Sequence, residues 1–275
     1  MARTDTLSNF LTDVAEAIRE KKGTTDTISA SSFDTEIASI ESGGGNVDDY
    51  WDFSGLRNYG LLIEYIKTIP NFDASIYTSF NKMFQNFYGL KTLPVFDTSN
   101  VTNFSYAFQY CRNLDLSIIE KWDTSKATNM SYMFANLQGD IVDRIAPNMN
   151  TSNVTNAEGM FQYSWFYKIP KYDFGKVNRV NYMFSNGIYL EEFGGFENLG
   201  KAYLTSQSAN YYQYTLELNS SNKLTHDSLM NVINNLYDIA SAGVQTQKLV
   251  LGSTNLAKLT KEEIAIATNK GWSVS

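Results

Sequence analysis

The sequence predicts an α/β protein built as a solenoid of short repeats, with a helical piece before it and a mixed α/β closing piece after it. Three observations lead there. A polar-to-aromatic motif recurs five times between residues 72 and 184, the prolines keep step with it, and helical periodicity is confined to the two flanks. A fixed period of this kind marks a chain in which each unit buries its apolar face against the next.

The amino-terminal flank comes first. Leu7, Phe10, Leu11, Val14, Ala15 and Ile18 form one apolar stripe at helical spacing, with Asp13, Glu16, Arg19 and Glu20 mostly off it. A second short helix is expected from about Ser32 to Ser39, capped by Ser31 or Ser32, with Phe33, Ile37 and Ile40 on one face. Two such helices are too small to enclose a core, so residues 1–42 read as an attachment or oligomerisation module. Its stripes would pack on another copy or on a partner protein. Gly43, Gly44 and Gly45 open a glycine-rich linker over 43–49.

The repeat occupies residues 50–200. Its strongest copies are F-D-T-S-N-V-T-N-F-S-Y-A-F (Phe96 to Phe108), W-D-T-S-K-A-T-N-M-S-Y-M-F (Trp122 to Phe134) and M-N-T-S-N-V-T-N-A-E-G-M-F (Met149 to Phe161). Weaker copies run from Phe72 to Phe84 and from Tyr172 to Phe184, and their partial loss of polar residues predicts irregular first and last coils. The closing phenylalanines are 24, 26, 27 and 23 residues apart. Pro70, Pro94, Pro147 and Pro170 each stand two residues before an opening position, with Glu120 in that place in the third copy. Proline has no N–H to give and holds its predecessor extended, which suits the exit of a strand at one corner of every coil. Short extended runs such as Leu90–Pro94 and Tyr167–Pro170 would be those strands. The Asp/Thr/Ser/Asn cluster would cap the turn that follows, and Met133-Phe134, Met160-Phe161 and Met183-Phe184 would close the coils inward.

These residues resemble a known family. The pattern L-x-x-(L/I)-x-x-(F/W)-D-T-S-N-V-T-N-M-S-x-M-F is similar to the BspA-type bacterial surface leucine-rich repeat, found in bacterial adhesins and lipoproteins and in phage tail-associated proteins. The resemblance covers about residues 62–200 and implies a leucine-rich-repeat-like solenoid with a helical N-terminal module and an α/β C-terminal cap. A shorter stretch, Ala15 to Ile40, resembles the module that opens many phage tail and baseplate proteins. Together they imply a virion structural and interaction protein of a phage: a tail fibre, baseplate or other particle-surface component that binds a host receptor. Its partners would be other virion proteins through the amino-terminal helices, further copies of itself, and a host-surface glycan or protein.

Residues 201–275 read as the cap. Thr225 can start a helix whose stripe is Leu229, Val232, Ile233, Leu236 and Ile239, Lys248 to Leu251 reads as a strand, and Thr260 with Glu263 forms a T-x-x-E capping box before Ile264, Ala265 and Ala267. The segment from Leu218 to Ser275, ending K-G-W-S-V-S, resembles the closing unit often found after such repeats. Its role would be to cover the last open coil, with Trp272 buried.

Composition removes several functions. At 275 residues, 43% hydrophobic and 19% charged, the chain is a folded protein. One cysteine (Cys111) and one histidine (His226) build neither an intrachain disulfide nor a Cys/His metal cage, so no metal or cofactor is expected. A net charge of -7 without a basic block argues against nucleic acid, and no apolar run of about 18 residues suggests membrane insertion. The first residues lack the apolar core of a secretory signal. The chain is therefore expected to be made in the host cytoplasm and to leave within a particle.

His226 follows a cap and reads as a helix-start residue, and Cys111 as a small, partly buried side chain. Asn100, Asn129 and Asn153 begin glycosylation-like triplets but recur because the coil needs polar turn formers. Asp97, Asp123 and Asp173 recur once per coil, as a cap does and an active site does not, so no enzyme is expected. What varies between copies is aromatic. Tyr88, Tyr110, Arg112, Tyr163, Trp165 and Tyr167 follow the closing phenylalanines and are the candidate receptor-binding residues, since such side chains give large contact area with a polar handle. A bacterial adhesin and a polysaccharide depolymerase with paired carboxylates are the rival readings.

Overall fold

The computed structural model describes residue 19 and residues 66–69, 71–139, 141, 143–204, 215–243 and 245–275. The two amino-terminal helices and the linker otherwise lie outside the described residues.

The five copies of the motif lie one above another as five coils. The closing phenylalanines form a column: Phe84 on Phe108 (ring centroids 5.7 Å apart), Phe108 on Phe134 (5.8 Å), Phe134 on Phe161 (6.0 Å) and Phe161 on Phe184 (5.9 Å), all nearly parallel. All five are buried. Each ring thus covers one face of each neighbour in the column, and its removal would leave a cavity there.

Backbone hydrogen bonds hold the coils in register. In each of the first four coils, the N–H groups four before, two before, at and two after the closing phenylalanine donate to carbonyls of the next coil. Phe104, Tyr106, Phe108 and Tyr110 donate to Asn129, Ser131, Met133 and Ala135, and the other three interfaces repeat this pattern. Most of the intervening N–H groups turn back within their own coil, as Ala107 does to Phe104 and Gln109 to Tyr106. Donors along this ribbon are therefore used alternately between coils and within them, which satisfies groups that burial would otherwise make costly.

The ribbon has a local cost. In every coil the residues two before and two after the closing phenylalanine are left-handed: Lys82 and Asn86, Tyr106 and Tyr110, Tyr132 and Asn136, Gly159 and Tyr163, Tyr182 and Asn186. A non-glycine residue pays about 1–2 kcal/mol there, less for asparagine. Four inter-coil hydrogen bonds at about 1 kcal/mol each, together with a buried phenylalanine worth about 3–5 kcal/mol on truncation, outweigh two such residues.

The polar cluster has a separate task for each residue. Asp73, Asp97, Asp123, Asn150 and Asp173 each accept a backbone N–H two residues on (2.8–3.1 Å), turning the chain after the opening residue. Thr98, Thr124 and Thr151 donate their hydroxyls to Asp123, Asn150 and Asp173 carbonyls of the next coil. Asn103, Asn129 and Asn156 make a second such turn into the ribbon. Asn100 and Asn153 donate to the Ser75 and Ser125 carbonyls of the preceding coil. The opening aromatics also reach back: Trp122 Nε1 donates to the Pro94 carbonyl and the Tyr172 hydroxyl to that of Pro147.

Three expectations change. The last coil keeps register, with Asn156 bridged to Arg179 and Phe184 stacked, because Asp173 and Phe184 are retained; Phe174, which replaces the threonine, stacks on Phe196 at 4.1 Å. The inner strands are shorter than expected. Leu90–Pro94 contributes only a bridge between Thr92 and Thr68, and the next coil has a 3-10 helix, Leu116–Lys121, capped by Asp115. True strands begin at β1 (Arg144–Ile145) and continue as β2 (Phe166–Ile169), β3 (Tyr172–Asp173), β4 (Glu192–Phe193) and β5 (Phe196–Glu197), with parallel order β1-β2-β4 and β3-β5. Cys111 is fully buried, its Sγ 2.9 Å from the Phe84 carbonyl.

Beyond the fifth coil the bonding pattern continues once more, after a longer step of 34 residues from Phe184 to Leu218. Ser221 donates to Leu218, Leu224 to Ser221 and Thr225 to Glu191, repeating the bonds of Gly187, Leu190 and Glu191 one coil earlier. Leu218 thus stands where a closing phenylalanine would. Strand β6 (Thr215–Glu217) leads into this partial coil and pairs with β7 (Gln247–Val250), which pairs with β8 (Trp272–Val274), all parallel.

Helix α1 (His226–Asn235) lies against β4 and β5, with Thr225 accepting the Ser228 N–H at its start. The helix is shorter than its apolar stripe. Leu236 is extended and bridges Leu199, while Lys270 Nζ takes the Ile233 and Asn234 carbonyls, so Leu236 and Ile239 are buried from outside the helix. The short helix α2 (Ser253–Leu256) follows β7, and α3 (Lys261–Asn269) opens with the full Thr260/Glu263 capping box. Trp272 is buried, its Nε1 bonded to the Tyr237 carbonyl, and Gly200 (φ 102°) leaves room for its ring.

His226 Nε2 sits 2.9 Å from Glu263 Oε1, linking the starts of α1 and α3, with Asp227 a second carboxylate at 3.6 Å. The bond to Glu263 raises the His226 pKa; the Thr260 N–H and then His226 lower that of Glu263. The histidine contribution is complete below its ordinary 6.5 and is lost as pH rises through the elevated folded value. The glutamate contribution is present above its ordinary 4.5 and lost as pH falls through the lowered one.

Asn136→Val should lower unfolding stability by about 1–2 kcal/mol, whereas Asn136→Gly, which tolerates the same backbone, should stay within about 1 kcal/mol, as read by urea denaturation. The stability difference between the parent and His226→Gln should be largest between about pH 4.5 and 6.5 and shrink toward pH 9.

Candidate functional site

The side chains that the repeat leaves free gather along the edge just after the ribbon, in two clusters. In the first two coils Tyr88 and Tyr110 lie 6.0 Å apart, and the exposed Arg112 guanidinium sits 5.4 Å and 5.8 Å from their ring centroids. Contacts of this kind are worth about 0.5–1 kcal/mol at an exposed site, enough to order the cluster and leave one edge of it open. Asn113 Nδ2 donates to the Tyr88 carbonyl at 2.7 Å. The chain under Arg112 is held from inside: Arg144, buried in β1, donates to the Arg112 and Leu114 carbonyls, and burial brings its pKa down to about 10.

The second cluster lies in the fourth and fifth coils. Trp165 packs on Tyr189 (4.9 Å between centroids), and Lys223 Nζ lies 5.1 Å from the Tyr189 ring. Tyr163 is 39% exposed and, with Ile188 and Tyr189, among the most exposed large apolar side chains described. Tyr167 belongs elsewhere. Its hydroxyl donates to Glu192 Oε1 (2.9 Å), whose other oxygen pairs with Lys168 at 2.7 Å. The Glu192 carboxylate raises the Tyr167 pKa, while Lys168 and then Tyr167 lower that of Glu192.

The six sequence-selected residues thus divide into Tyr88, Tyr110 and Arg112 in one group, Tyr163 and Trp165 on the same edge further along, and Tyr167 turned toward the strand side. Tyr189 and Lys223 were not foreseen. Tyr189 follows its closing phenylalanine by five residues, one further than Tyr88, Arg112 and Trp165. Lys223 belongs to the partial coil that has leucine where the motif has phenylalanine.

A cleft of about 530 Å³ lies where the strand side meets the start of α1, lined by Lys168, Lys171, Glu192, Asp227, Ser228 and Asn231. Its polar groups are mostly engaged: Lys168 with Glu192, Lys171 with Glu197 at 3.1 Å, Ser228 and Asn231 with backbone of β4. Asp97 and Asp123 are held below the usual carboxylate range, first by the hydroxyls of Ser99 and Ser125 and then by their N–H groups. A general acid needs the opposite shift. No helix among the described residues is long and apolar enough to cross a membrane.

The stacked part of the chain matches one family model. Residues 78–193 match a family described as "Mycoplasma protein of unknown function, DUF285". The matched stretch begins in the first coil and ends in β4, so it is the repeat itself, and the match is consistent with a BspA-type surface repeat. No curated protein and no solved structure matches the chain.

The Tyr167 environment is open to direct titration. Glu192→Gln should lower the Tyr167 pKa toward the ordinary tyrosine range, seen as a shift of one phenol in the ultraviolet titration that is missing when Tyr167→Phe is made in the same background.

Proposed function

We propose that the chain is a non-enzymatic recognition protein carried on the surface of a phage particle, as a tail fibre, baseplate or similar component, and that its leucine-rich-repeat-like solenoid binds a receptor on the host surface. The observation that carries the binding reading is the division of labour among side chains. Residues shared by the coils are spent on stacking and capping, whereas the residues that differ between coils gather as partly exposed aromatic clusters with attendant cations on one edge. Aromatic residues with nearby cations are enriched where binding energy concentrates. Rigid coils beneath them lower the ordering cost of contact. The particle setting rests on the resemblance of residues 15–40 to phage tail modules, and several copies fixed through them would add avidity.

Catalysis is left out of the reading because the carboxylates that recur, Asp97, Asp123 and Asp173, each hold a turn. A cell-borne adhesin is the second reading. It is favoured by the matched family's description, which names a cellular bacterium. Immunogold labelling separates the two carriers: label on purified particles supports the first, label confined to cell surfaces the second. For binding itself, Tyr163→Asn, Trp165→Ala and Tyr189→Ala combined should abolish attachment of labelled protein to host cells while the circular dichroism spectrum is kept. Undiminished attachment would reject the edge.

A further inference from the structure

We infer that the ligand is an uncharged polysaccharide, bound along the outer face of the turn ribbon that adjoins the aromatic edge. The inference rests on the reading of the chain as a binding protein and names what it binds. Fifteen positions make up this ribbon, those two before, one after and two after the closing phenylalanine in five coils, and all but the buried Ala135 and Gly159 face outward. Lys82 alone among them is charged. The rest are mainly tyrosines and side-chain amides, such as Tyr106, Tyr132, Tyr182, Gln109, Gln162 and Tyr163. Tyr182 is 51% exposed and Tyr163 39%, so this face carries the rings left most open.

The strand side of the fourth and fifth coils has the opposite character, with the ion pairs Lys168–Glu192 and Lys171–Glu197. A charged ligand would be met there by groups of both signs. On the ribbon face it would find little to neutralise it and would lose hydration without return. Amides and phenol hydroxyls each donate and accept, which matches a ligand whose surface is hydroxyl groups. Glu158, one residue before the left-handed Gly159, adds a carboxylate to this face and accepts the Tyr132 hydroxyl at 2.9 Å, while Lys82 Nζ lies 5.5 Å from the Tyr106 ring centroid. Tyr106 and Tyr132 stack at 4.8 Å, with Tyr132 lying over Gly159, where any Cβ would fall 2.3 Å from its ring. The face is therefore a fixed ridge repeated at the spacing of the coils, suited to a polymer that offers the same group again and again. Many weak contacts then sum.

Affinity electrophoresis of the full chain in gels containing dextran, mannan, galactan or glycogen, with polygalacturonate as the anionic comparison, tests this. The expected result is retardation by at least one neutral polymer that persists in about 0.5 M salt, where exposed charge attraction is screened. Tyr106→Asn with Tyr182→Asn, chosen because asparagine accepts the left-handed backbone, should weaken that retardation at least five-fold. Lys168→Ala with Lys171→Ala should leave it unchanged. Retardation by polygalacturonate alone, equal retardation of the tyrosine variant, or none in any neutral gel would overturn the inference. If the parent still attaches to host cells in that case, the aromatic edge stands and only the ligand class fails. If it binds neither cells nor polymer, the recognition reading falls with it.

Discussion

Everything in the central part of the chain depends on how one row of backbone N–H groups is shared. Alternate donors serve the next coil, and most of those between them serve their own. That arrangement sets two positions per coil into left-handed geometry and fixes which side chains point in and which point out. The column of phenylalanines and the turns made by aspartate and asparagine follow from it, because both sit at fixed offsets from the same donors. The ladder is backbone-made, so the outward side chains are released from structural duty wherever a left-handed residue is tolerated.

The column was legible because its residues are large, identical and evenly spaced. Phe84, Phe108, Phe134, Phe161 and Phe184 announce themselves in a self-comparison, and so do the aspartates and asparagines that turn the chain. The capping box at Thr260 and Glu263 was equally plain, since a four-residue pattern contains the whole interaction. The left-handed tyrosines were not. Tyr106, Tyr132 and Tyr182 carry no glycine or asparagine signal at their positions, and only the inter-coil bonds compel their backbone. Helix α1 is shorter than its apolar stripe for a related reason: Leu236 and Ile239 are apolar for the sake of the core and lie beyond the helix end, with Leu236 in extended backbone.

The edge was legible in kind and not in arrangement. Varied aromatic positions after each closing phenylalanine marked it, yet nothing local to Tyr167 foretold the pull of Glu192, a coil away. Lys223 escaped notice because Leu218 breaks the phenylalanine series while keeping its geometry. Partners brought together by stacking are separated by a full period in the sequence, and a period is recognised by its conserved members. Those that vary are invisible to it.

The bonds of the turn ribbon all run in one sense, each coil giving hydrogens to its successor, while elsewhere in the coil the Thr102, Thr128, Thr155 and Glu191 N–H groups give to the coil before. Such a pile has a top and a bottom that are chemically distinct, so a whole unit slipped in anywhere would find on either side the donors and the acceptors that it needs. A fragment of a unit would find neither. Duplication of complete units is thus the natural way for this chain to change its reach, lengthening like a ruler while the two terminal pieces stay as they are.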